Sequence, residues 1–168
     1  MSVKEIVTWP NRALRIDTHR LDPTSGETAR IYRDLADTME KYRGAGIAAP
    51  QIGEPAQIFL IDYRIAQDKD GIPLIFINPE VTWVSEEEQT GREGCLSFPD
   101  VWLNVKRPIS CKIRAEDLDG DTFEVKARGL YARALQHETD HLNGKLMVDF
   151  VAKFKQEAVK KKLARRKR

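Results

Sequence analysis

The sequence predicts an α+β fold: short antiparallel sheets packed around a central HExxH helix, with an N-terminal helix before it and a basic C-terminal helix after it. Three observations predict this. Leu130 to Leu135 is a run of good helix formers that leads into His137-Glu138-Thr139-Asp140-His141, and Asn143-Gly144 supplies a C-terminal stop. Apolar runs at 57–62, 74–78 and 81–84 are joined by connections too short for helical crossovers, so they pair antiparallel. Ile31, Leu35, Met39 and Tyr42 recur at helical spacing.

Taken in order, residues 1–23 show little periodicity beyond a turn at Trp9-Pro10-Asn11. His19 stands among polar neighbours and reads as an exposed histidine. Thr24-Ser25-Gly26-Glu27 has the capping-box pattern with Thr24 at the N-cap, so a helix is expected over about 25–43. Met39 and Tyr42 belong to its core face. Gly44 to Gly53 combines close glycines with small residues, which suits backbone lying tight against a neighbour. The spacing is not that of a dinucleotide fingerprint, and no GK[ST] occurs, so neither phosphate-binding loop is present. Gln51, the only long polar side chain there, reads on its own as a surface residue.

The three strands follow, and Glu86-Glu87-Glu88 reads as a solvated loop. Gly91 to Pro99 shows no clean alternation and is expected to be irregular. Ile109 to Arg114 and Thr122 to Val125 form a hairpin about Asp119-Gly120. Leu130, Ala134, His137 and His141 fall on one helical stripe that should face the interior. Beyond a short apolar stretch at 145–150, the tail from 153 onward is helix-forming.

At 168 residues the chain is most simply one domain. Residues 1–152 are expected to form the body of that domain, which the resemblance given below implies is catalytic, and 153–168 a basic helical tail of the same domain. No apolar run is long enough to cross a membrane, and residues 1–6 lack the apolar core of a secretion signal. Two cysteines in such a chain argue for thiols and a reducing, cytoplasmic location. The tail carries nine Lys/Arg and one Glu, a charge of +8, against −6 for the 19 basic and 25 acidic residues before it. It is a separate electrostatic object.

On a helix, His137 and His141 lie one turn apart on one face, so both can ligate one metal ion. Glu138 flanks the same pocket and can move a proton of bound water. Two histidines leave such a site incomplete, since a catalytic site of this kind takes three protein ligands. His19, Cys95, Cys111 or a carboxylate could be the third. Cys111 shares parity with Ile109 and Ile113 and points into the core, whereas Cys95 sits in a Gly-flanked segment, which favours Cys95. The longer zincin pattern is absent, because position 147 is Met.

Three stretches resemble the peptide deformylase family: Gly44-Ala45-Gly46-Ile47-Ala48-Ala49-Pro50-Gln51, Glu93-Gly94-Cys95-Leu96-Ser97 and Gln136-His137-Glu138-Thr139-Asp140-His141. They stand in the family's order, and the resemblance covers nearly the whole chain. Departures are Ile47 where Leu is common, Phe98 where Ile often follows Ser, and Trp102 near a position where relatives often carry a substrate-contacting Arg.

The resemblance implies an enzyme that removes the N-formyl group from the initiator methionine of nascent chains and releases formate. It implies Cys95, His137 and His141 as ligands of one divalent ion, Fe²⁺ by family habit, with Zn²⁺, Ni²⁺ or Co²⁺ as substitutes. Glu138 is implied as acid–base, with the Gln51 amide and the Leu96 backbone N–H as oxyanion donors. Backbone at Ala45, Gly46 and Gly94 is implied to hold the peptide. Gly91, Glu93, Leu130, Arg133, Ala134 and His137 would lie near the methionine pocket, with Arg107 bracing Glu93. The expected partners are N-formyl-Met nascent peptides and, through the basic tail, the ribosome, with no membrane and a monomeric chain.

Overall fold

The structure, a computed structural model, describes residues 2–166. Helix α1 spans Gly26–Tyr42. Ser25 caps it by accepting from the Thr28 backbone N–H, and Arg43 ends it in the left-handed conformation. The cap is therefore Ser25 and not Thr24, whose N–H and hydroxyl both turn back to Asp22 at 3.0 Å. Ile31, Leu35 and Met39 are buried as their spacing requires, but Tyr42 is 43% exposed. It is the helix's last residue and stands on the wall of a cleft.

Strands β1 (Gly46–Ala48), β2 (Ile58–Ile61) and β3 (Leu74–Val84) come next, with a one-turn helix α2 (Tyr63–Ala66) between β2 and β3. They are followed by β4 (Glu88–Cys95), β5 (Phe98–Pro108), β6 (Ser110–Glu116) and β7 (Thr122–Arg128). One antiparallel sheet has the order β1-β2-β3-β6-β7, and β4-β5 is a separate two-stranded ribbon. The two strands expected at 74–78 and 81–84 are one. Its register shifts between Ile77 and Glu80, where Asn78 takes a φ of 52° and Pro79 has no N–H to give the ladder. Asn78 then ties this bend to Leu21 through paired 2.8 Å bonds.

Gly91 to Pro99 is likewise not irregular. It is the tip of the β4–β5 ribbon, turned by Leu96-Ser97. Alternation is hidden because Glu93 and Arg107 are both buried and polar. The β6–β7 hairpin closes at Gly120, whose φ of 84° suits glycine.

Helix α3 (Leu130–Leu142) lies between the five-stranded sheet and the ribbon. Leu135 and Ala132 pack with Phe59, Phe76, Cys111 and Ile113. Phe59 and Phe76 stack with ring centres 4.9 Å apart. Each fully buried side chain of this size contributes about 1.5–3 kcal/mol. Leu130, expected inward, is 64% exposed, because the stripe's first turn overhangs the core. Helix α4 (Lys153–Arg166) sets Val159 and Leu163 against the core beneath β5. Lys162 and Arg166 bind Asp100 at the ribbon tip. Lys167 and Arg168 of the basic tail lie outside the described residues.

Candidate metal centre

Three elements converge on one point. Helix α3 brings His137 and His141, with ring centres 5.1 Å apart. The end of β4 brings Cys95, whose Sγ lies 3.4 Å from His141 Nε2. Ligand atoms of all three lie within 4.8 Å of one another. Cys111 does not join them. It is fully buried behind α3, and burial pushes its thiol up to about 11. His19 is exposed.

The donor set fits a cation on structural grounds. His137 Nδ1 lies 2.8 Å from Glu93 Oε1, which leaves Nε2 free to face a cation. Burial alone would lower the His137 pKa, but hydrogen bonds to Cys95 and Glu93 outweigh it and hold it well above the ordinary histidine value. Burial and the neighbouring His137 push His141 well below that value, which favours the neutral imidazole a metal needs. One thiolate and two imidazoles suit a borderline first-row divalent ion.

Glu138 is 5% exposed, and its Oε1 has no hydrogen-bond partner among the described residues. Burial pushes its carboxyl up to about 7. Room for it is made by Gly46, where a Cβ would fall 2.8 Å from Glu138 Oε2.

Gln51 is not on the surface; it is 1% exposed. A 3-10 turn at Ala49–Ile52 folds it inward. Its Oε1 accepts from the Ala48 N–H at 2.9 Å, which turns Nε2 toward Cys95 Sγ at 3.5 Å and Ser97 Oγ at 3.1 Å. Leu96 follows Cys95 directly in the ribbon turn, and its side chain fills the space a Cβ at Gly44 would need.

Ala45, Gly46, Glu93, Gly94, Leu130, Arg133 and Ala134 line one cleft of about 750 Å³, beside Cys95, Leu96, His137 and Glu138, whereas Gly91, expected near the methionine pocket, is not among its lining residues. Glu93 differs from the rest. Its carboxylate is taken up by Arg107 at 2.5 and 3.0 Å, by Arg133 at 2.7 Å and by His137. Burial would raise it, but the bonds from His137 and Arg107 prevail and the carboxyl falls to about 2.

Two functional neighbours escape the sequence reading. Asp140 accepts from Arg107 Nη1 at 2.7 Å, extending the brace to a residue between the two histidines. Ser97 anchors Gln51. Both stand inside the motifs quoted above without a role assigned to them, and Asp140 also lies three positions after His137 on the adjoining helical face, so motif membership and spacing are the signals that could have found it.

The chain is similar to known proteins over nearly its whole length. A family model described as polypeptide deformylase matches residues 3–157. The chain is 39% identical to a peptide deformylase of Nitrobacter hamburgensis, over 98% of this chain and 96% of that one. It is 40% identical to one from Bradyrhizobium diazoefficiens, over 96% and 95%. Among solved structures, a peptide deformylase from Legionella pneumophila superposes with a TM-score of 0.90 at 35% identity, covering 98% and 95%. One from Ehrlichia chaffeensis in complex with actinonin gives 0.92 at 32%, covering 100% and 99%.

Proposed function

Because the chain belongs to the polypeptide deformylase family, we propose that it removes the N-formyl group from the N-terminal methionine of newly synthesised proteins and releases formate. The observation that carries this is the meeting of Cys95, His137 and His141 at the cleft that the buried Glu138 lines. In this reading the three ligands hold one divalent ion, Fe²⁺ by preference, with Zn²⁺, Ni²⁺ or Co²⁺ able to substitute. Such an ion supplies a water acidic enough to ionise near neutral pH and an electrophilic contact for a carbonyl oxygen.

The protein's own groups do the rest. Glu138 accepts the proton of the attacking water and delivers it to the departing amide nitrogen. The water oxygen joins the formyl carbon, the C–N bond breaks, and formate and a free amine leave. Gln51 Nε2 and the Leu96 backbone N–H donate to the formyl oxygen as it gains charge, each such donor being worth about 3–4 kcal/mol of barrier. Glu93 holds the His137 ring in place.

Backbone at Ala45, Gly46 and Gly94 receives the peptide main chain as an added strand and leaves no room for an acyl methyl. Leu130, Arg133 and Ala134 border the first side chain. Residues 1–152 form the catalytic unit and 153–168 its basic tail. Helix α4 bears Lys155, Lys160, Lys161 and Arg165, all exposed, which supports salt-sensitive docking on ribosomal RNA. No helix among the described residues is long and apolar enough to cross a membrane. We place the working enzyme in the cytoplasm as a monomer.

The test is formate release from matched formyl-Met and acetyl-Met peptides. Turnover confined to the formyl peptide is expected; equal turnover of both would reassign the enzyme to another acyl substrate.

A further inference from the structure

The N-terminal segment from Lys4 to Trp9 lies in no helix or strand, and the chemistry above gives it no task. Three of its backbone donors nevertheless have fixed partners. Lys4 N–H donates to Thr38 Oγ1 of α1 at 2.9 Å, Val7 N–H to the Gln51 carbonyl at 2.8 Å, and Trp9 N–H to the Ser97 carbonyl at 3.0 Å. Val7 and Trp9, two residues apart, therefore join the 3-10 turn that carries Gln51 to the ribbon turn that carries Leu96 and Ser97. Side chains close the same link from within, since Gln51 Nε2 donates to Ser97 Oγ. Trp9 stacks on Phe98 with ring centres 5.6 Å apart, and Val7 and Trp9 pack with Cys95 against one apolar cluster. Thr8, between them, lines the cleft.

The two turns belong to different sheets. Gln51 follows β1 of the five-stranded sheet, and Leu96 stands at the tip of the β4–β5 ribbon, with no strand pairing between the two sheets. A pair of donors that must converge on one oxygen tolerates a misplacement of only about 0.5 Å. We propose that the Val7–Trp9 segment is a positioning strap that holds Gln51 Nε2 and the Leu96 N–H in register with each other. The proposal rests on the deformylase reading and deepens it. The strap touches no reacting atom. It acts through the Gln51 and Ser97 carbonyls, which have a backbone partner only while Val7 and Trp9 keep their places.

Two arms test the strap. Val7→Pro removes the donor to Gln51 and keeps an apolar side chain. Trp9→Ala removes the stack on Phe98 that seats the donor to Ser97, and Trp9→Phe keeps a ring there. In the first arm, kcat on a formyl-Met peptide, per folded and metal-loaded chain, should fall about tenfold or more in Val7→Pro and Trp9→Ala. KM should stay within about twofold, and Trp9→Phe should recover most of the loss. An unchanged kcat, or a loss carried by KM alone, overturns the proposal. In the second arm, hydrogen exchange of the Gln51 side-chain amide is followed by NMR on the Zn²⁺-loaded chain. It should quicken in Val7→Pro and Trp9→Ala while the Ile113 N–H, in the middle of β6, keeps its wild-type rate. A Gln51 amide as slow as in wild type, or an equal gain at Ile113, overturns the strap. This arm needs no turnover, so a wild type inert toward formyl peptides would strike the deformylase reading and leave this arm to decide.

Discussion

Glu93 Oε1 and His137 Nδ1 lie 2.8 Å apart, and the carboxylate, held down to about 2, can only accept. His137 therefore donates from Nδ1 and presents Nε2 to the ligand cluster. Glu93→Gln would loosen this orientation and leave Arg107 and Arg133 without their shared anion. Metal affinity should fall about 10–100-fold in a chelator competition, and urea unfolding should show a loss of about 3–5 kcal/mol. Wild-type affinity would show that His137 needs no such partner.

The two cysteines should separate cleanly. Cys95→Ser replaces a soft ligand and should weaken metal binding, measured as metal content after dialysis. Cys111→Ser buries a hydroxyl in an apolar cluster, costs about 1–3 kcal/mol of stability and leaves the metal in place. Equal metal loss in both would reject Cys95 as the ligand.

Glu138→Ala should retain the ion and lose about 10²–10⁴-fold in kcat. Gly46→Ala should also cut turnover, because its methyl would fall 2.8 Å from the Glu138 carboxylate. Full activity in Glu138→Ala would require another proton acceptor in the cleft.

Acid stability should depend on a pair remote from the cleft. Arg15 donates to both carboxylate oxygens of Asp149, at 2.6 and 2.9 Å. Burial would raise Asp149, but the bond from Arg15 wins and its pKa lies below the ordinary value. The unfolded group titrates near about 3.9, so the contribution is present above that pH and fades as pH falls through the depressed folded value. Asp149→Asn should lower Tm at neutral pH and narrow its gap to wild type in acid. A gap that widens in acid would contradict the sign.

The parts of the fold that sequence makes legible are those whose inward positions are apolar. Ile31, Leu35 and Met39 mark α1, and Ile113 and Val125 mark the last hairpin. The β4–β5 ribbon is hidden because its inward positions include Glu93 and Arg107, whose pairing brings together residues 14 positions apart. Gln51 misleads for a related reason. Its burial depends on Ala48, Cys95 and Ser97, two of which arrive from the ribbon. His137 and His141 are readable as a pair from helical spacing alone, but choosing Cys95 over Cys111 rests on strand parity. Leu130 and Tyr42 show the limit of periodicity: both lie at helix ends, where the stripe continues past the core.

The most direct measurement is metal content and formate release on one anaerobic preparation, before chelation, after it, and after Fe²⁺ is restored. The account predicts one ion per chain, loss of formate release with loss of the ion, and recovery on reloading. Undiminished turnover by the metal-free chain, or a fully loaded chain that releases no formate from a formyl-Met peptide, would contradict it.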